Sequence, residues 1–115
     1  MRPNRMKERL AAGGWSAGPI IPVADAALVE VCGLTGWDHV LIDAEHGHIS
    51  VKDCEDLVRA PHMVGITPIV RVPTNAPHEI LRYLDTGAQG IVVPQVTTRE
   101  DAERAVRSSA RARSA

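Results

Sequence analysis

The chain has 115 residues, 44% hydrophobic and 23% charged, the composition of an ordinary globular protein. A net charge of -1 gives no electrostatic footprint for nucleic acid or an anionic membrane surface. Two cysteines, Cys32 and Cys54, form no C-x-x-C pair and cannot make a disulfide-dense scaffold, so reduced thiols and a cytoplasmic location are expected.

Short apolar runs alternate with helix-like stretches. The basic opening "MRPNRMKERL" leads into "AAGGWSAGPI" rather than a sustained apolar run, so it reads as neither a signal peptide nor a membrane span. Within it, "MKERLAAGG" predicts a short leading helix stopped by Gly13 and Gly14. "GPIIPV" is a poor first strand, because Pro19 and Pro22 suit only an edge or a strand end. "DAALVEVCGLTG" predicts a helix with Asp25 as N-cap, Leu28, Val31 and Cys32 on its apolar face, and Gly36 as its stop.

"HVLID" is the clearest strand, a continuous apolar run that ends in charge. Ser50 and Asp53 have capping-box spacing ahead of "VKDCEDLVRA", where Val51, Cys54, Leu57 and Val58 recur at helical spacing and Pro61 predicts the end. "TPIVRV" is the third strand. Asn75 is the expected cap of "APHEILRYLDTG", with Pro77 in the first turn, a stripe of Ile80, Leu81 and Leu84, and Gly87 closing it. "GIVVP" is the fourth strand, and Thr98 and Asp101 have cap-like spacing before "AERAVR".

This order, one helix and then four β–α units, predicts an α/β fold with a parallel sheet and its helices packed outside. Two Trp, one Tyr and no Phe leave Val, Leu, Ile and Ala to build the core, the mixture that buried parallel sheets use.

In such folds ligands sit beyond the carboxyl ends of the strands, where βα loops and helix N-termini gather. The second strand ends in Asp43, Glu45 and His46, the third carries Arg71 in its last residues, and the fourth runs out through Pro94 to Gln95. An acid, a histidine, a guanidinium and an amide are thereby expected on one rim. Each has an ordinary alternative: Arg71 could pair with a neighbouring carboxylate, the histidine could be merely solvated, and Asp43 could cap a turn. Their coincidence at successive strand ends favours a site.

Two other site classes fit less well. His46 and His48 form an H-x-H pair that zinc could use. The remaining histidines, His39, His62 and His78, fall at a strand start, after a helix and in a helix's first turn, away from strand ends that could complete a tetrahedral set. A small flavodoxin-like binding domain would need a Gly-rich phosphate loop between a strand and a helix, and "AAGGWSAG" does not occupy that place.

At "LIDAEHG", "PIVRVP" and "LDTGAQGIVVPQVTTREDAERAV" the sequence resembles the metal-dependent pyruvate aldolases of the HpcH/HpaI aldolase/citrate lyase family, without an evident gap from about Trp37 to Val106. The resemblance implies a (β/α)₈ TIM barrel that reversibly cleaves 2-oxo-4-hydroxy acids to pyruvate and an aldehyde. A divalent metal (Mg²⁺, Mn²⁺ or Co²⁺) would act there as Lewis acid. It further implies that His46 is the catalytic histidine moving a proton through a water, that Asp43 orients its imidazole, and that Arg71 binds the pyruvate oxygens and stabilises the enolate. Gln95 joins Arg71 as a substrate-binding candidate, and Glu45 takes only a supporting place near the histidine.

The chain is about half the ~250 residues of a typical (β/α)₈ barrel. Residues 1–106 are therefore expected to form the N-terminal half, about four units, with residues 107–115 ("RSSARARSA" from Arg107) a divergent, disordered tail of a truncated or frame-shifted frame. The family's metal ligands lie on later strands, so no metal-ligating residue is assigned here. Four strands with an uncovered inward face predict a homo-oligomer or a partner, and weak or absent activity for this chain alone.

Overall fold

The computed structural model describes residues 2–114, with side chains through Ala110. Its elements run in chain order as α1 (Arg5–Ala11), β1 (Ile20–Ile21), α2 (Ala26–Leu34), β2 (His39–Asp43), α3 (Val51–Val64), β3 (Thr67–Arg71), α4 (Pro77–Leu84), β4 (Gly90–Val92) and α5 (Arg99–Ser114). Among the described residues no helix is long and apolar enough to cross a membrane.

The four strands are parallel and lie in the order β1-β2-β3-β4. A doubly wound sheet reverses direction at a switch point; a barrel adds each strand on the same side of the last. Sequential order therefore identifies the barrel type, with four of its β–α units present, and removes the flavodoxin-like alternative.

Register divides the strands into two faces. Ile21, Ile42, Val70 and Ile91 are aligned across all four, and with Val40 and Val72 they join Val29, Cys54, Leu57, Val58 and Ile80 of the helices in one hydrophobic cluster. Leu57 and Val58 are each 1% exposed, so removing either side chain's methyls would cost about 2–5 kcal/mol. The other face carries Ile20, Leu41, Ile69 and Gly90 in one row and Asp43, Arg71 and Val92 in the next. There Ile20 is 57% exposed and Val92 38%, so the side of the sheet that a closed barrel would turn inward is open at its edge strands, while Ile69 and Asp43 at its centre are buried.

Local signals account for most element ends. Asp25 Oδ1 accepts the N–H groups of Ala27 and Leu28. Ser50 and Asp53 form a reciprocal capping box, and Thr98 and Asp101 do the same ahead of α5.

The structure corrects four expectations. Pro61 lies inside α3, which runs three residues further and closes on Gly65 at φ +79°, whose N–H bonds the Pro61 carbonyl. The buried face of α2 is Val29 and Cys32, not Leu28 and Val31, which are exposed. That rotation follows from Gly33, which sits against Val64 so closely that a Cβ there would lie 2.0 Å from a Val64 methyl. Asn75 does not cap α4: the N-cap is Ala76, with no side-chain bond, and Asn75 Nδ2 instead donates to the Asp101 carbonyl of α5 at 2.9 Å. Residues 107–114 continue α5 where a disordered tail was expected. Ala and Arg are strong helix formers and no Gly or Pro interrupts them; Ala115 lies outside the described residues.

Candidate active site

Asp43 and Arg71 are register partners at the carboxyl ends of adjacent strands, and their side chains emerge on the same, open face. The ladder continues past both strand ends, with Ala44 N–H on the Arg71 carbonyl at 2.9 Å and Val72 N–H on the Val92 carbonyl at 3.1 Å. Backbone pairing therefore holds the rim together before any side chain contributes.

The guanidinium grips the carboxylate as a fork: Arg71 Nη2 donates to Asp43 Oδ2 at 2.5 Å and Nε to Oδ1 at 3.1 Å. Two-point geometry of this kind is the strong form of ion pair. Oδ1 also accepts the backbone N–H groups of Glu45 at 3.0 Å and His46 at 3.1 Å, which folds the loop back over the strand end. The hydrogen bond from Arg71, with those from His46 and Glu45, brings the Asp43 carboxyl down to about 2 against the opposing effect of burial. Asp43 is ionised at any physiological pH, and its side chain is only 4% exposed.

The loop that follows is pinned along its length. A Cβ on Gly47 would fall 2.4 Å from the Asp43 carbonyl oxygen and 2.5 Å from that of Pro22, so only glycine lets the chain pass between them. Further on, Ile49 is buried and its carbonyl accepts the Tyr83 hydroxyl at 3.2 Å, fastening the loop to α4.

Between these anchors stand Glu45 and His46. Glu45 Oε1 lies 3.2 Å from His46 Nε2 and 3.6 Å from Arg71 Nε, so one carboxylate touches both the imidazole and the guanidinium. The glutamate side chain is 15% exposed while the histidine is 71% exposed, which leaves the ring facing solvent with the Glu45 carboxylate at one edge. Gln95, exposed and just beyond the buried Pro94, has φ 56°. That left-handed conformation is uncommon for a side-chain-bearing residue. Among the described residues no group bonds its amide.

Asp43, Glu45, His46 and Arg71 thus come together, and Gln95 stands at the end of the strand beside Arg71. The expected Asp43–imidazole contact does not form: both Asp43 oxygens are taken by Arg71 and the backbone, and the imidazole's acidic neighbour is Glu45. Glu45 stands in the supporting place near the histidine that was expected of it. The available signal was its position beside His46 and two residues beyond a strand-end aspartate, which keeps its side chain within reach of the same rim.

Other candidates fall away on chemistry. His48 is exposed and joins no cluster, and no group of three or more His, Cys, Asp or Glu among the described residues is placed to hold a metal ion. With Asp43 committed to Arg71, the residues present do not fit the divalent metal that the resemblance implies. Cys54 is fully buried and burial pushes its thiol up to about 11, so it is no nucleophile. What the rim offers is a guanidinium with N–H donors left over, beside an accessible imidazole with a fixed acidic partner. Such a pair suits a small anion that must exchange a proton.

Residues 18–115 match the family model for HpcH/HpaI aldolase/citrate lyase, so the likeness runs past Val106, where it was expected to end. A 5-keto-4-deoxy-D-glucarate aldolase from Salmonella paratyphi A is 39% identical over 112 residues, covering 93% of this chain and 42% of that protein. Among solved structures, citrate synthase SbnG superposes with TM-score 0.84 at 38% identity, covering 89% of this chain and 42% of its own. The HpcH/HpaI aldolase from Desulfitobacterium hafniense DCB-2 superposes with TM-score 0.85 at 27% identity, covering 93% and 42%. The chain spans less than half the length of each.

Proposed function

The chain belongs to the HpcH/HpaI aldolase/citrate lyase family, and from that premise we propose that it carries the base and the anion-holding half of a carbon–carbon lyase site acting on 2-oxo-4-hydroxy acids. The observation that carries this reading is the Arg71 fork on Asp43, with Glu45 and His46 against it, at the carboxyl ends of adjacent strands.

In the cleavage direction the roles are as follows. Arg71, held rigid by Asp43, turns its remaining N–H groups to the carboxylate and 2-oxo oxygen of the substrate. His46, through a water, removes the proton of the C4 hydroxyl. The C3–C4 bond breaks, the aldehyde leaves, and the bonding electrons pass into the enolate of pyruvate. The Arg71 guanidinium stabilises charge developing on that oxygen, a contribution that fixed donors commonly make worth 10²–10³ in rate. The proton taken by His46 returns through the water to C3, and pyruvate leaves. Gln95, beyond the end of β4, hydrogen-bonds the substrate. A divalent metal would supply Lewis acidity to the oxo acid in the family's chemistry. These residues do not provide its cage.

Support for the substrate class comes from the aldolase relative, which acts on a keto-deoxy sugar acid by its name, and from the anion-and-proton chemistry of the rim. The open face of the sheet, with Ile20 and Val92 exposed, supports assembly with a second chain, a homo-oligomer included, and weak turnover without it. The test is pyruvate release from a 2-oxo-4-hydroxy acid with added Mn²⁺, paired with a titration of pyruvate into the labelled chain by NMR. Expected are shifts confined to the Asp43–His46 loop, Arg71 and Gln95, abolished in Arg71→Ala, and turnover that is weak or absent. Pyruvate binding elsewhere, or robust turnover by the isolated chain that survives His46→Ala, overturns the reading.

A further inference from the structure

We infer that two copies of this chain close into one eight-stranded barrel about a two-fold axis, with β4 of each copy beside β1 of the other and α5 of each against the free flank of α2 in the other. The inference rests on the strand order and the exposed seams, not on the lyase reading.

Four parallel strands in sequential order are half of the eight that close a (β/α)₈ barrel. Among the described residues β1 and β4 each pair on one side only, so the sheet ends in two unlike open edges. Contact between unlike edges closes a ring when the rotation divides a full turn. Here that rotation is a half-turn, and a two-fold axis along the barrel keeps every strand parallel to its neighbours. Joining like edges would either reverse the strands or turn the inward face of one copy outward. Pro19 does not block the seam. Its carbonyl turns to β2, accepting the Leu41 N–H at 2.9 Å, so Ile20 presents its own N–H and C=O to the free edge.

Both seams leave apolar side chains in water. On the β1 side these are Ile20, Val23, Leu28 and Val31, and on the β4 side Val92, Val96 and Val106. Glu30 is the one charged residue among the nine of α2, and a helix so apolar is normally covered on more than one face. Val29 and Cys32 face its sheet and Gly33 meets Val64 of α3 on one flank. Leu28 and Val31 fall on the other flank, where a closed barrel sets its next helix. Together the seven side chains expose roughly 500 Å² of apolar surface per copy, against the about 800 Å² of mixed surface that each partner gives to a stable interface. Closure also gathers the Asp43–Arg71 forks of both copies at one mouth, half a barrel apart.

Light scattering on the eluting chain is expected to give twice the 12.4 kDa chain mass. Orientation is read by disulfide formation in a glutathione buffer, since neighbouring strands lie about 4.8 Å apart, within reach of a disulfide, and opposite strands of a barrel do not. Ile20→Cys is incubated alone and mixed with Gly90→Cys or Val92→Cys, the two inward positions of β4. The native Cys32 and Cys54 are buried, and wild type is the blank. The dominant covalent dimer should join unlike chains. Ile20→Lys and Val92→Lys should each raise the concentration at which the dimer dissociates by roughly tenfold or more. Met63→Lys, at an 80% exposed position on α3 away from both seams, should leave it in place. A monomer at every concentration reached, disulfides mainly between like chains, no disulfide between unlike chains, or a filament or larger ring overturns the inference. The wild-type mass and the disulfide pattern decide even if the lysine variants fold poorly. No substrate is used, so failure here and failure of the lyase assay are separate results.

Discussion

The two ends of the sheet use the same residue types for different ends. At the amino ends of the strands, buried Asp38 accepts Arg9 Nη1 at 3.1 Å and the Ala17 N–H at 3.1 Å, with Arg5 Nε at 3.5 Å. Around it Thr67 Oγ1 accepts the Met6 N–H and donates to Asn4 Oδ1, and Gln89 Nε2 donates to the carbonyls of Arg2 and Pro3. His39 Nδ1 lies 2.7 Å from Ser16 Oγ, under a Gly18 whose Cβ would strike the His39 carbonyl. Nearly every polar group there meets another part of the chain, and the result is α1 tied across β2, β3 and the residue before β4. Gln89 Oε1, buried without a partner, is the exception.

At the carboxyl ends the Asp43–Arg71 pair is as tight, yet what surrounds it is left over: N–H donors on Arg71, an exposed imidazole, and an unbonded amide on a left-handed residue. An acid–arginine pair by itself therefore says nothing of function. Spare bonding capacity beside the pair is what sets the proposed site apart, and it lies at the carboxyl face, where barrel-type folds keep their chemistry.

The sharpest way to break this contrast is to remove one arginine from each end. Arg71→Ala should lower pyruvate affinity or any turnover by 10²-fold or more, while Arg9→Ala should leave both unchanged, as read by NMR titration and pyruvate release. Comparable losses from the two would show that the ends do not differ in kind. Next in size is Asp38→Ala, which removes the buried carboxylate that the half-buried Ala17 N–H and the arginines of α1 share, and frees α1. It should reduce stability to urea by about 2–3 kcal/mol, with the His46 and Arg71 signals unmoved.

Acid should find the other pair. The folded Asp43 carboxyl titrates near 2, below its ordinary 3.8, so in that interval the unfolded chain binds more protons. Its contribution to stability is whole above pH 3.8 and is lost as pH falls through about 2. Urea midpoints measured from pH 5 downward should fall more steeply in wild type than in Asp43→Asn. Parallel curves would mean that the fork does not couple to folding.

How much of this was legible in the sequence depends on the range of the interaction. Strands written as "HVLID" and "TPIVR" could be read directly, because parallel strands buried by helices must be continuously apolar. Caps at Asp25, Ser50 and Thr98 could also be read, since they act within three residues. Rotation of α2 about its axis could not, because it depends on Gly33 meeting Val64 thirty-one residues later. Nor could the passage of α3 through Pro61, which tertiary packing of the buried ring overrides. Within the site, residue types and the shared rim were visible in strand order. Which carboxylate faces the imidazole was not: Asp43 and Glu45 are both close in sequence, and only the reach of Arg71 from the next strand commits Asp43 elsewhere.

The smallest expected effect is the most discriminating, because it separates strain kept for folding from strain kept for function. Gln95 holds φ 56°, a conformation that costs a side-chain-bearing residue roughly 1 kcal/mol. Glycine removes that strain, but it also gives the unfolded chain more freedom to lose, worth about 0.4–1 kcal/mol in the opposite direction. The two nearly cancel, so Gln95→Gly should shift stability by no more than about 0.5 kcal/mol. Its amide makes no bond within the described chain, so nothing else is lost on folding. If the amide serves the substrate, the same change should weaken pyruvate binding several-fold at unaltered stability. If the left-handed turn serves only to lead β4 into α5, Gln95→Asn should leave affinity as Gln95→Gly does. A clear loss of affinity confined to the variants without a reaching amide assigns Gln95 to the working end, whereas equal affinity in all three moves it to the scaffold.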